Sequence, residues 1–95
     1  MLDIIVTDTA ENDMRDIFDY IAKDNINKAI EMIDMFEDKF NSIAMFPNSG
    51  FKKSYFIKRD VREIVVAKHY QIIYYIKNDI VYIQRVLTGY QNIFQ

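Results

Sequence analysis

The second half of the chain carries a cluster of basic side chains that could hold an anionic partner. Two aromatic residues, Tyr55 and Phe56, are interleaved with these cations. Cations beside aromatic rings suit a nucleic acid, because phosphates pair with the charges and bases stack on the rings. They suit an acidic peptide equally well, and a solvated loop without a partner has the same composition. The cations of this basic segment are Lys52, Lys53, Lys58, Arg59 and Arg62.

Two arginines inside otherwise apolar runs are the second chemical signal. Arg62 and Arg85 both lie in stretches rich in Val and Ile. A buried guanidinium is unfavourable unless it is paired, so each is expected to reach a rim, a groove or a carboxylate such as Asp60 or Glu63. The two arginines then form either a shared cationic surface on one sheet or two structural ion pairs.

The remaining candidates for chemistry have plainer interpretations. His69 is the only histidine, and histidine is a common general base. No carboxylate partner is evident in the sequence, so a turn position without a catalytic role is favoured. Tyr90 follows the last apolar run and could stack on a base. Asp13, Asp16 and Asp19 recur every three residues, which indicates a solvated helix face rather than a cation site.

Composition limits the possible chemistry and size. The 95 residues contain no cysteine and are 51% hydrophobic, which predicts one domain over residues 1–95 without a disulfide or thiolate metal site. No metal-ligand spacing, phosphate-binding glycine loop or serine-type triad is present, so no metal and no cofactor are expected. The amino-terminal residues lack the basic and long apolar regions of a signal peptide, and no apolar stretch approaches the roughly 20 residues of a membrane span. We expect a soluble cytoplasmic protein.

The two halves of the chain have opposite charge. Residues 1–50 hold 11 acidic and 4 basic side chains, a net charge of −7, whereas residues 51–95 hold 3 and 8, a net charge of +5. Opposite charge blocks indicate opposite surfaces, and the second half is the one on which an acidic partner would dock.

Apolar periodicity predicts two consecutive helices. Apolar side chains recur at helical spacing over residues 10–23 and again over residues 27–46. Thr7, Asp8 and Thr9 offer side-chain oxygens for the start of the first helix, and Asp8 with Glu11 has the spacing of a capping box. Residues 47–50, which include the only proline, end the second helix. Helices joined by so few residues form an antiparallel hairpin.

Four short runs rich in Val, Ile and Tyr predict strands at residues 2–6, 61–67, 70–76 and 80–87. Residues 77–79 and 68–69 form the hairpin turns between the last three, and residues 51–60 form a loop or an irregular strand. The predicted class is α+β: an N-terminal strand and an antiparallel two-helix hairpin packed on a mostly antiparallel β-sheet, in the order β-α-α-β-β-β. The strands are apolar on both faces, so a partner is expected to cover the face opposite the helices.

Five segments in this order resemble the RelE/ParE toxin superfamily. Segment 16–22 reads DIFDYIA, and segment 43–50 closes a helix on IAMFPNSG. Three strand segments follow, Val-Arg at 61–62, YQIIY at 70–74 and VYIQRVL at 81–87. The resemblance covers nearly the whole chain, and the first-helix and Phe-Pro segments are closer to ParE-like members.

The resemblance implies the toxin of a type II toxin–antitoxin pair, of the kind known for growth inhibition and plasmid stabilization. Members are neutralised by an antitoxin encoded beside them. ParE-like members bind DNA gyrase and need no hydrolytic site, whereas RelE-like members cut messenger RNA on the ribosome. Gyrase binding is the leading expectation for this chain. A ribosome-dependent endoribonuclease and a non-toxic relative that only binds its antitoxin are the alternatives.

RelE-like ribonucleases use cations, and often a C-terminal Tyr or His, to stabilise charge on the phosphate. The resemblance would give that role here to Arg62, Arg85 and Tyr90. The family arginine that follows the sheet tyrosine is replaced by Gln71, and residues 89–95 contain no Lys, Arg or His. These departures favour a non-enzymatic toxin, whose basic segment would contact the target or the antitoxin. The protein would then form a toxin–antitoxin hetero-oligomer or a homodimer.

Overall fold

Two helices pack on one face of a five-stranded mixed sheet in the computed structural model, which describes residues 1–52 and 60–89. The helices are α1 (Asp8–Ala22) and α2 (Ile26–Met45). The strands are β1 (Asp3–Val6), β2 (Phe51–Lys52), β3 (Val61–Val66), β4 (Tyr70–Lys77) and β5 (Ile80–Thr88). The sheet order is β1-β5-β4-β3-β2, with β1 parallel to β5 and the other neighbours antiparallel. This confirms the predicted α+β class and element order.

The start of α1 differs from the predicted capping box. Thr7, not Asp8, is the N-cap, and its hydroxyl oxygen accepts a hydrogen bond from the Ala10 N–H at 3.2 Å. The same hydroxyl donates to the Ile83 carbonyl of β5 at 2.9 Å. An ionised aspartate has no proton to donate, so the link to the sheet selects the threonine. Asp8 and Glu11 lie in the first turn, where a negative charge is favourable to the helix dipole.

The second helix begins at the predicted turn. Asn25 is its N-cap and accepts from the Lys28 N–H at 3.1 Å. None of the helices in the described ranges is long and apolar enough to span a membrane.

The main core fills the space between the helical hairpin and the sheet. Phe36 of α2 is fully buried and meets Tyr70 of β4 edge to face, with ring centroids 5.4 Å apart. The other buried members of this core are Ala10, Ile17, Phe40, Ile43, Val66, Ile72, Tyr74, Val81, Ile83 and Val86. The strand residues among them lie on the face of the sheet that packs against the helices, because successive side chains of a strand point to opposite faces.

The opposite face of the sheet is already buried at its centre within the single chain. Val61, Ile73 and Leu87 form a second cluster and are 1%, 5% and 2% exposed within the single chain. Beside them Tyr75 and Tyr82 stack, with ring centroids 5.0 Å apart. A partner therefore has less apolar surface to gain on this face than the strand composition indicates.

Both hairpin turns use left-handed backbone. Asn78 and Asp79 have φ angles of 53° and 61°, which these residue types tolerate. The β3–β4 turn differs in residue type. Ala67 and Lys68 have φ angles of 51° and 68°, although neither residue type favours the left-handed region. Residues 67–69 separate Val66 from its register partner Tyr70, so His69 lies in this turn, as predicted.

Replacement of Thr7 by Ala tests the capping arrangement. The change removes both the acceptor for the helix N–H and the donor to β5, so the free energy of unfolding is expected to fall by about 1–2 kcal/mol. The controls are Asp8→Ala and Thr9→Ala, both at exposed positions, measured by urea denaturation. A loss at Asp8 as large as that at Thr7 would contradict the assignment of the cap.

Candidate functional site

The basic segment begins at a turn that a buried tyrosine holds in place. Tyr74 on β4 is fully buried. Its hydroxyl donates to the Pro47 carbonyl at 2.8 Å and accepts from the Gly50 N–H at 3.0 Å. Burial raises the pKa of Tyr74 above the ordinary tyrosine value, against the opposing effects of the Gly50 N–H, Ser49 and nearby Arg62. The hydroxyl therefore stays protonated and fixes where the chain leaves α2.

Gly50 is required by this close approach. A Cβ atom at this position would lie 2.7 Å from the Tyr74 hydroxyl oxygen and 3.0 Å from the Arg62 Cβ. Neither distance leaves room for a methyl group, because both atoms belong to side chains that are held in place. The glycine ending of segment 43–50 thus has a packing reason.

Arg62 lies on β3 and binds backbone carbonyl groups of the same turn. Its Nη1 donates to the Asn48 carbonyl at 3.1 Å and to the Gly50 carbonyl at 3.0 Å. Its Nη2 donates to Asp60 Oδ2 at 3.2 Å, and its Nε lies 3.2 Å from Oδ1 without a hydrogen bond between them. The side chain is 16% exposed. Pairing with Asp60, one of the carboxylates considered from the sequence, is confirmed, and the guanidinium is occupied by the protein itself.

Lys52 is the next described cation of the basic segment. It is the register partner of Arg62 on the short strand β2, and it is exposed. Side chains of register partners point to the same face of a sheet, so Lys52 adds a solvent-facing charge beside the Arg62–Asp60 pair. Lys53, Lys58, Arg59 and also Tyr90 lie outside the described residues, and their roles stay predictions.

Arg85 is held by a carboxylate of α1. Its Nε and Nη2 donate to the two oxygens of Asp13 at 2.8 and 3.0 Å. Asp13 also accepts the Val86 N–H at 2.9 Å. The hydrogen bond and the charge of Asp13 raise the pKa of Arg85 against the opposing effect of burial. This pair joins α1 to β5.

A β-bulge explains why Arg85 can reach a helix. Ile83 pairs with Tyr74 and Arg85 pairs with Ile73, which leaves Gln84 as the extra residue on β5. The pairing of β1 with β5 ends at Ile83. Bulges redirect side chains, and beyond the end of β1 the edge of β5 is open to Asp13.

The sequence interpretation missed three members of these networks. Asp13 was expected on a solvated face, but its side chain is 12% exposed and paired, because the bulge brings a cation to it. Tyr74 is one of several strand tyrosines that the sequence does not distinguish, whereas burial of its hydroxyl requires the bonds described above. Gly50 was interpreted only as the end of a helix.

The two predicted arginines do not meet as one free cationic centre. Arg62 and Arg85 lie on the strands flanking β4, opposite the neighbouring residues Tyr74 and Ile73. Each is turned toward a different structural partner. No cluster of three or more His, Asp or Glu side chains suited to a metal is present among the described residues.

A cleft lies beside α1. It has a volume of about 430 Å³ and lies between the second half of α1 and the turn side of β4 and β5. His69 is part of its lining, together with Tyr70 and Thr88. The histidine therefore faces a cleft, although it makes no catalytic arrangement with the arginines.

A two-helix hairpin on a mixed sheet, with this element order, is the architecture of the RelE/ParE toxin superfamily. The chain belongs to one family within it, the ParE toxin of type II toxin-antitoxin system, parDE, whose model matches residues 4–93. No curated protein matches the sequence. A solved structure described as the chromosomal ParDE TA system from P. aeruginosa has a TM-score of 0.76 and 18% identity, covering 93% of this chain and 96% of that one. At this identity the likeness concerns the fold.

Replacement of Tyr74 by Phe is expected to lower the free energy of unfolding by about 1–3 kcal/mol at neutral pH, because two buried backbone groups lose their partner. The raised pKa also predicts a pH effect. An unfolded tyrosine ionises near pH 10, whereas the folded Tyr74 keeps its proton, so its stabilising contribution is present below about pH 10 and is lost as the pH rises further. Urea denaturation at neutral and alkaline pH should therefore show a shallower alkaline loss in Tyr74→Phe. The exposed Tyr20→Phe variant is the control, and an unchanged alkaline slope in Tyr74→Phe would contradict the argument.

Replacement of Asp13 by Ala tests the link between α1 and β5. The change leaves the guanidinium and the Val86 N–H without their acceptor, so a loss of about 1–3 kcal/mol is expected, reduced by the partial exposure of Arg85. Asp19→Ala removes the same charge from an exposed position of the same helix and should change stability by less than about 0.5 kcal/mol. Equal effects in thermal denaturation would show that only helix charge matters.

Proposed function

We propose that this ParE-family chain inhibits growth by binding DNA gyrase, without cutting RNA, and that an antitoxin encoded beside it neutralises it. Membership of a toxin family of type II toxin–antitoxin systems supports the class. Gyrase as the target and the antitoxin as the partner are the parts proposed here. We place the activity in the cytoplasm and assign it to a single domain over residues 1–95.

The pairing of both candidate arginines carries the choice of a binding mechanism. Stabilisation of charge on a reacting phosphate needs cations aimed at the substrate. Arg62 is engaged by two carbonyls and Asp60, and Arg85 by both oxygens of Asp13. If either side chain bound RNA, these internal hydrogen bonds would be lost. A toxin that acts by occupying a surface has no such requirement.

The basic segment is the proposed contact for an acidic partner. Lys52 is exposed and lies beside a turn fixed by Tyr74 and Arg62, so the segment starts from a defined place. We extend the surface to Lys53, Lys58 and Arg59 on the basis of sequence. An antitoxin segment rich in Asp or Glu would compete for this surface with the target, which explains neutralisation by simple occupancy.

The test is gyrase-catalysed supercoiling of relaxed plasmid DNA with the purified, folded chain, with and without its antitoxin. The proposal predicts loss of supercoiling that the antitoxin restores. A folded chain at high excess that leaves supercoiling unchanged would overturn it. In that case messenger RNA should be examined after induction in cells, since rapid cleavage would identify the ribonuclease alternative.

A charge reversal at Lys52 tests the proposed surface without touching the internal networks. Lys52→Glu is expected to raise the concentration needed for half inhibition of gyrase by about fivefold, equivalent to about 1 kcal/mol. Lys23→Glu is the matched control, because Lys23 is exposed and lies at the other end of the 20-residue helix α2, about 30 Å away along its axis. Equal losses in both variants would indicate a general effect of net charge.

A further inference from the structure

The cleft beside α1 differs in chemistry from the basic segment. Its volume of about 430 Å³ falls within the range of sites that hold a ligand group. From α1 it is lined by Asp16, Ile17, Tyr20 and Ile21. Apolar and aromatic surface dominates these side chains, and Asp16 is the single carboxylate in the described lining.

The groups that a ligand would meet first are accessible. Tyr20 is 69% exposed, so one of the aromatic rings of the cleft is open to a partner. Asp16 is also exposed. A carboxylate beside an exposed tyrosine ring is a favourable setting for a cation, which can pair with the acid and lie against the ring.

The negative charge of α1 also favours a cationic ligand. Arg15 is its only basic residue, and its acidic residues are Asp8, Glu11, Asp13, Asp16 and Asp19. Asp13 is neutralised by Arg85, and Asp16 is the acidic residue of α1 that lines the cleft. An acidic segment would be repelled here, although the basic segment would attract it.

We infer that this cleft binds an arginine or lysine side chain carried on an apolar segment of a partner protein. The aliphatic stem of the cation lies against the exposed ring of Tyr20, and the charged end meets Asp16. Arginine fits better than lysine, because its planar guanidinium stacks on an aromatic ring while it pairs with a carboxylate. The inference rests on the cleft itself and not on the proposed gyrase target.

The experiment uses the full chain and three short amphipathic peptides with the same leucines along one face. Their flanking positions carry arginine, glutamine or glutamate, and binding is measured by titration calorimetry. The arginine peptide is expected to bind, and the glutamine peptide to bind about tenfold more weakly, equivalent to about 1.4 kcal/mol. Equal binding of the glutamine or glutamate peptide would overturn the inference, because the cleft would then select apolar surface alone. The absence of saturable binding of the arginine peptide would also overturn it.

Variants assign the binding to the cleft. Asp16→Asn should weaken the arginine peptide by about tenfold, whereas Asp19→Asn, the same change at a residue that does not line the cleft, should alter it by less than about twofold. Equal losses would attribute binding to the general field of the helix and would refute the site. Tyr20→Phe should retain binding and Tyr20→Ser should lose most of it, since the ring supplies the contact. The supercoiling assay on Asp16→Asn separates the two proposals, because inhibition of gyrase through the basic segment should be unaffected.

Discussion

The buried hydroxyl of Tyr74 is the constraint that places the candidate surface. It lies where no water can satisfy it, so it must bond to protein groups, and the groups within reach are the carbonyl of Pro47 and the N–H of Gly50. These bonds fix the exit of the chain from α2 and the start of β2. The position of Lys52, where the basic segment begins, therefore depends on a side chain in the core.

The distribution of charge follows from the same need of polar groups inside the protein for partners. Arginines inside the sheet are compensated by carboxylates of the chain, Arg62 by Asp60 and Arg85 by Asp13. The described charge that remains for partners lies at the periphery, with Lys52 on β2 and carboxylates along α1. A protein organised in this way can offer two surfaces of opposite sign while keeping its centre neutral.

A toxin that acts by binding is consistent with this arrangement. Catalysis on a phosphate would need cations aimed at solvent and a general acid or base in register with them. Among the described residues, the cationic side chains with the strongest contacts instead hold a turn and a helix in place. The two surfaces proposed for partners, the α1 cleft and the basic segment, have opposite charge, so one partner can engage both without internal repulsion.

The sequence by itself determined the class of fold, the order of elements and the family. Apolar periodicity and β-branched runs depend on neighbours a few residues away, so helices, strands and both hairpin turns could be predicted to within a few residues. Only the tertiary structure decided which polar residues meet. The Asp13–Arg85 pair and the Gly50–Tyr74 bond join positions 72 and 24 residues apart, and the cap at Thr7 was selected by a carbonyl on β5. Local pattern carries no information on such contacts, because a bulge of one residue in β5 is enough to redirect the side chain that makes them.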